Sequence, residues 1–283
     1  MRIGLLRRGG WIGGLAGLAL IVALPAEAWA QGMDIAAGGG DSPLEVTAED
    51  GIEWRQDEKM FLAQGNARAV RGDTAVQAGE LRAHYRQPED GDPTIWKLDA
   101  IGNVVITQAD RVARGHRATY DLETGVFSLT GGGPSLVSGA DSVTARDALE
   151  YRVQAKQAVA KGGAKVVQGD RLLFADRLTA DFADNKAGDT EISRVEAQGN
   201  VRLETKEEVV IADRGVYTVT DETIILDGSV EITRGKNQLR GCGAVVNLKT
   251  GVSRLTSCKE GSGERVQGVI FPEKDQKNPL DKQ

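Results

Sequence analysis

The 283-residue chain carries 35 basic and 41 acidic side chains, a net charge of −6, with 40% hydrophobic and 5% aromatic residues. An acidic chain lacks the Lys and Arg surplus that displaces counterions from a phosphate backbone, which argues against nucleic-acid partners. Two histidines and two cysteines leave little material for metal or thiol chemistry, while the length suffices to bury a sizeable core.

Arg2, Arg7 and Arg8 precede an apolar run from Trp11 to Leu24, then Pro25 and Ala28-Trp29-Ala30. A charged head, a short apolar stretch and a small-residue site read as a secretory signal peptide over 1–30, cut after Ala30. The run is too short to span a bilayer comfortably. Cleavage leaves 32 basic against 40 acidic residues, a net charge of −8. A bacterial signal of this kind places the protein in the periplasm. Residues 31–42 are Gly-rich and polar and read as a flexible leader.

From Pro43 the pattern alternates with period two: Leu44-Glu45-Val46-Thr47, Ile52-Glu53-Trp54-Arg55, Val104-Val105-Ile106-Thr107, Val126-Phe127-Ser128-Leu129. Alternation predicts strands with one buried and one wet face. Gly65-Asn66, Gly72-Asp73, Gly102-Asn103, Gly131-Gly132-Gly133, Gly199-Asn200 and Asp227-Gly228 punctuate the runs. Gly and Asn tolerate the positive φ of tight turns.

The chain also repeats itself at an offset of 97 residues: Val46/Val143, Gly65/Gly162, Leu81/Leu178, Gly102-Asn103-Val104/Gly199-Asn200-Val201, Tyr120/Tyr217, Leu129/Leu226. A fixed period predicts stacked units, each burying its apolar face on the next. The expected organisation is a duplication over 43–139 and 140–236, closing strands over 237–271, and a disordered tail over 272–283. Residues 147–161 are rich in helix formers. Their counterparts at 50–64 read strand–turn–strand, so strands are expected at 149–153 and 157–161, with pairing overriding propensity.

Cys242 and Cys258 lie equally far from residue 250, inside a turn signal at Asn247–Gly251. That spacing places them opposite each other on paired strands, and an oxidising compartment favours a disulfide without requiring one. No ligand pair has zinc-type spacing. His84 and His116 each sit alone in a strand-like run, and Gly131–Ser135 lacks the Lys-Ser/Thr of a phosphate loop. Nothing clusters as a catalytic site. What remains is a long sheet that can curl on itself, collecting Leu44, Val46, Ile52, Trp54, Val104, Ile106, Tyr120, Leu122 and Leu129 on its inner face.

The opening Pro43–Ala48 segment, Gly65-Asn66, Gly102-Asn103-Val104, Val76-Gln77-Ala78 and Gly115-His116…Tyr120-Asp121-Leu122…Leu129-Thr130-Gly131 together resemble the OstA/LptA family of periplasmic lipopolysaccharide-transport proteins. The resemblance implies an all-β fold: a semi-closed antiparallel β-jellyroll, solenoid-like and built from repeated hairpins. It implies no catalytic residues, cofactor or metal. Lipid A acyl chains would contact Leu44, Val46, Ile106, Tyr120 and Leu122. The chain's own negative charge suggests that lipid phosphates are left outside rather than clamped, with Arg111, Arg114 and Arg117 as the cations that could serve locally. Edge strands would pair head to tail with further copies, with an LptC-like inner-membrane anchor and with an LptD-like outer-membrane protein. The competing readings are a ligand-free structural β-solenoid of the envelope and a secreted polysaccharide-active β-helix enzyme.

Overall fold

The computed structural model describes residues 43–88, 91–186, 188–258 and 265–271. The expected signal peptide (1–30), leader (31–42) and tail (272–283) lie outside the described residues. Within them the chain is all-β, without a helix, and its strands join a single sheet. The first half comprises β1 (Glu45–Thr47), β2 (Gly51–Arg55), β3 (Met60–Arg71), β4 (Thr74–Arg86), β5 (Thr94–Gln108), β6 (Arg111–Asp121), β7 (Val126–Thr130) and β8 (Ser135–Ser138). The second comprises β9 (Asp141–Thr144), β10 (Ala148–Arg152), β11 (Gln157–Gln168), β12 (Arg171–Asp184), β13 (Thr190–Glu204), β14 (Glu208–Thr218) and β15 (Thr223–Arg234). β16 (Asn237–Asn247), β17 (Val252–Thr256) and β18 (Gln267–Val269) close it.

The long strands are bent. β3, β5, β11, β13 and β15 each interrupt their pairing at Gly65-Asn66, Gly102-Asn103, Gly162-Gly163, Gly199-Asn200 and Gly228-Ser229. Both residues of each pair have positive φ. Glycine reaches that region without the steric cost an L side chain meets. At Gly162 the space is also taken, since a Cβ there would collide with the Asp147 carboxylate. Gly65, Gly199 and Gly228 face Asp50, Asp176 and Asp213 in the same way.

These corners fold the sheet into two layers. One layer runs β1, β3–β6, β8, β9, β11–β16, β18; the other runs β2–β7, β10–β17 without β8 and β9. The short strands are therefore pairs broken at the corner: β1/β2, β7/β8, β9/β10 and β17/β18. Inward side chains from both layers merge into one core that includes Leu129, Leu136, Leu149, Val166, Leu226 and Val246. A second cluster gathers Tyr120, Tyr151, Phe182, Ile192 and Val195, with Tyr151 and Phe182 meeting edge-on at 6.0 Å.

The helix-prone segment forms β10 and the start of β11, within one residue of the expected strands. β10 is hydrogen-bonded on both sides, to β7 and β11, and that pairing outweighs local preference.

Candidate functional site

At the N-terminal end no strand among the described residues covers β1 and β2, and an apolar trough opens between the layers there. Its cavity is 330 Å³, the size of a small-molecule site. Leu44 and Val46 enter from the first edge strand, Ile52 and Phe61 from β2 and β3, Val76 and Leu81 from β4, Leu98 and Ile106 from β5, and Tyr120 and Phe127 from β6 and β7. Period-two alternation and the corner put these side chains on facing walls. Further along the roll the voids lined by described residues are much smaller, such as those of 50 and 40 Å³.

Four of the five sequence-predicted contact residues, Leu44, Val46, Ile106 and Tyr120, meet in this cavity. Leu122 does not line it. It packs against the Tyr151–Phe182 cluster, and its backbone N–H donates to the Trp96 carbonyl at 2.9 Å. Phe61, Leu81 and Leu98 line the cavity without having been singled out. Their only sequence signal is alternation, which many core strands share. At the mouth Trp54 stacks on Phe61 at 5.5 Å and donates its indole N–H to the Tyr85 hydroxyl at 2.9 Å. Trp54 and Ile52 are each 56% exposed, so the mouth presents uncovered apolar surface.

The outer face carries the charges. Asp99 is buried there, with Lys97 Nζ at 3.0 Å, His84 Nε2 at 3.2 Å and the Thr119 hydroxyl donating at 2.8 Å. Burial alone pushes its carboxyl up, but the bonds from Lys97 and Thr119 and the nearby cations hold it below the ordinary value. Its counterpart Glu196 accepts from Gln198, Arg194 and Arg214, and these hold it at about 2. His84 is thus engaged with a structural carboxylate. The His116 backbone N–H donates to the Gly131 carbonyl at 3.0 Å at a corner. Arg114 and Arg117 are exposed and share the outward rows of β6, whereas Arg111 falls on the inward row. Among the described residues no three His, Cys, Asp or Glu side chains converge to hold a metal ion.

At the far end Cys242 and Cys258 are joined as a disulfide with Cα atoms 4.9 Å apart. Cys258 lies past the end of β17 rather than within it, so the bond pins the corner between β17 and β18 onto β16. Val252, Val269, Ile270 and Phe271 are exposed along this edge.

Fold and site together define an open-ended, apolar-lined β roll. The sequence model of the LptA/(LptD N-terminal domain) LPS transport protein family matches twice, over residues 45–147 and 142–252. The chain belongs to that family of transport proteins. It is 31% identical over 137 residues to an uncharacterised protein of Rhizobium meliloti (strain 1021), spanning 47% of this chain and 72% of that one. The crystal structure of LptH, the LptA homologous periplasmic component of the conserved lipopolysaccharide transport device from Pseudomonas aeruginosa, aligns over 82% of this chain and 97% of its own. The identity is 13% and the TM-score 0.20.

Proposed function

We propose that this chain is a periplasmic lipopolysaccharide-transport protein that holds lipid A acyl chains in its N-terminal trough and stacks head to tail between the two membranes. The observation that carries the reading is a 330 Å³ apolar cavity at one end of the roll, far larger than the 50 and 40 Å³ voids further along, in a chain of this family. Each methylene taken from water contributes about 0.8 kcal/mol, so six buried methylenes supply roughly 5 kcal/mol. A photo-crosslinker at Ile106 or Tyr120 is expected to capture lipopolysaccharide in cells. Adducts from neither position, nor from any other inward position, would overturn the reading.

The stacking half of the proposal has a template inside the chain. Where the two halves meet, β10 pairs with β7, setting Glu150 against Ser128 and Leu149 against Leu129. β2 lies 97 residues before β10, and Thr119–Gly131 echoes Val245–Ser257, so β17 stands in the place of β7. Transferring the register sets Ile52 of one copy against Leu255 of the next and Glu53 against Arg254, an apolar pair beside an opposite-charge pair. LptC-like and LptD-like partners would use the same two edges.

The smaller voids of the second half favour one competing reading, a ligand-free scaffold of the envelope. The crosslinking experiment separates the two, because a scaffold yields no lipid adduct.

A further inference from the structure

The inward face of the first layer is not apolar to its lip. Two residues beyond the cavity-lining Ala69, Val76 and Ile106 the same face carries Arg71, Thr74, Gln108 and Arg111, which are cross-strand neighbours in that order on β3, β4, β5 and β6. Thr74 is 1% and Gln108 7% exposed, so the row is tucked in rather than splayed into solvent. The opposite lip differs: there the corresponding pair is Tyr85 and Ile95, and Ile95 lines the cavity. The trough therefore has one cationic wall and one greasy wall.

The second half lacks this arrangement. Its equivalents are Gln168, Arg171, Thr205 and Glu208, so two positive charges become one positive and one negative. The smaller voids and the lost cationic lip coincide in that half. The cavity and the cationic lip coincide in the other. Packing alone does not require such a pairing, whereas an amphiphile with an anionic head does.

We infer that the Arg71–Thr74–Gln108–Arg111 row is the headgroup subsite of the trough, taking the phosphate of a lipid whose acyl chains occupy the cavity. This rests on the acyl-binding reading above and adds the side on which the head lies. A guanidinium presents a planar fork of donors that matches phosphate oxygens in pairs. Gln108 adds an amide between the two forks, and Thr74 is the small buried residue that spaces them. The turns beyond the row carry the exposed Asp73 and Asp110. Asp73 Oδ1 accepts from the Thr74 hydroxyl at 3.3 Å. The two carboxylates bound the site on its outer side and would repel an anion displaced past it.

The test uses the mature chain and displacement of a fluorescent apolar probe from the trough. Bisphosphorylated lipid A, the same lipid dephosphorylated, and a short-chain phosphatidylglycerol compete in separate arms. Wild type is expected to prefer phosphorylated over dephosphorylated lipid A by at least about tenfold, as charge-assisted bonds to two arginines allow. The double variant Arg71→Gln/Arg111→Gln is expected to lose that preference while keeping its affinity for the dephosphorylated lipid. Arg71→Lys/Arg111→Lys should recover part of it. Arginine-dependent binding of phosphatidylglycerol as well would assign any phosphate head; dependence seen with lipid A alone would assign its paired phosphates. A folded double variant with an unchanged preference would overturn the headgroup subsite and leave acyl binding standing. If no lipid displaces the probe from wild type, acyl binding itself fails and the subsite with it. Should the double variant not fold, Arg71→Gln alone decides, because glutamine already occupies the equivalent position at Gln168.

Discussion

Ile52 and Leu149 hold the same place in the two halves of the roll, and so do Trp54 and Tyr151. Ile52 and Trp54 are more than half exposed, whereas Leu149 is 1% and Tyr151 2% exposed. Neither the alternation nor the partner strand accounts for this, since β2 pairs with β3 as β10 pairs with β11. The difference is the strand on the other side. β10 has β7 against it, and β2 has no second neighbour among the described residues. One pattern thus yields a core where a neighbour exists and an open trough where none does.

The largest expected effect comes from truncating those equivalent residues. Leu149→Ala should cost about 3–4 kcal/mol in denaturant unfolding, as a cavity in a packed site does. Ile52→Ala should cost less than about 1 kcal/mol, because little is buried to lose. Equal losses would mean that the N-terminal end is covered in solution. The two ends of the roll provide a second contrast. Replacing Cys242 and Cys258 with Ser should remove about 3 kcal/mol, the loop-closure stabilisation expected for a bridge across 16 residues. Hydrogen exchange should then rise in β17 and β18 and stay unchanged in β1 and β2.

Gly162 and Gly163 sharpen the comparison within one corner. Both have positive φ, but only Gly162 has a carboxylate where a Cβ would go. Gly162→Ala should cost about 2 kcal/mol or more by thermal unfolding and Gly163→Ala about 1 kcal/mol.

The smallest effect is at Glu208, the counterpart of Arg111. It is 4% exposed and its Oε1 has no hydrogen-bond partner. Burial pushes its carboxyl above the ordinary value against the pull of Arg234. A raised folded pKa means the folded state prefers the proton. Its stability is therefore intact below the unfolded value of about 4.3 and falls as pH rises through the folded one. Glu208→Gln should accordingly stabilise the protein by about 1 kcal/mol at pH 7, with the gain vanishing near pH 4. A gain that persists at pH 4 would rule out titration as the cause.

Much of this architecture is legible in the residues themselves. Period-two runs mark the strands. Gly65-Asn66, Gly102-Asn103, Gly199-Asn200 and Asp227-Gly228, however, read as tight turns between strands and are instead bends inside β3, β5, β13 and β15. A positive-φ pair can kink a strand whose pairing resumes beyond it. The offset repeat corrects the helix-like composition of 147–161, because a shared position outvotes a local preference. Leu44, Val46, Ile106 and Tyr120 are readable as inward apolar residues. Two features are not. Leu122 alternates in phase with Tyr120 and still misses the cavity, since the wall turns away toward the Tyr151–Phe182 cluster. The Arg71 to Arg111 row spans four strands and more than one hairpin, so only cross-strand register reveals it.

The broken strand pairs carry one more consequence. Among the described residues β1/β2 and β17/β18 are the edge strands, and β7/β8 meeting β9/β10 has the form of the proposed encounter inside a single polypeptide. Two modules are welded at that seam. A string of given length built from this protein would then depend on diffusion for only half its joints, the others being held at the high effective concentration of a covalent tether. Dilution should shorten such a string in whole two-module steps and never split a welded pair.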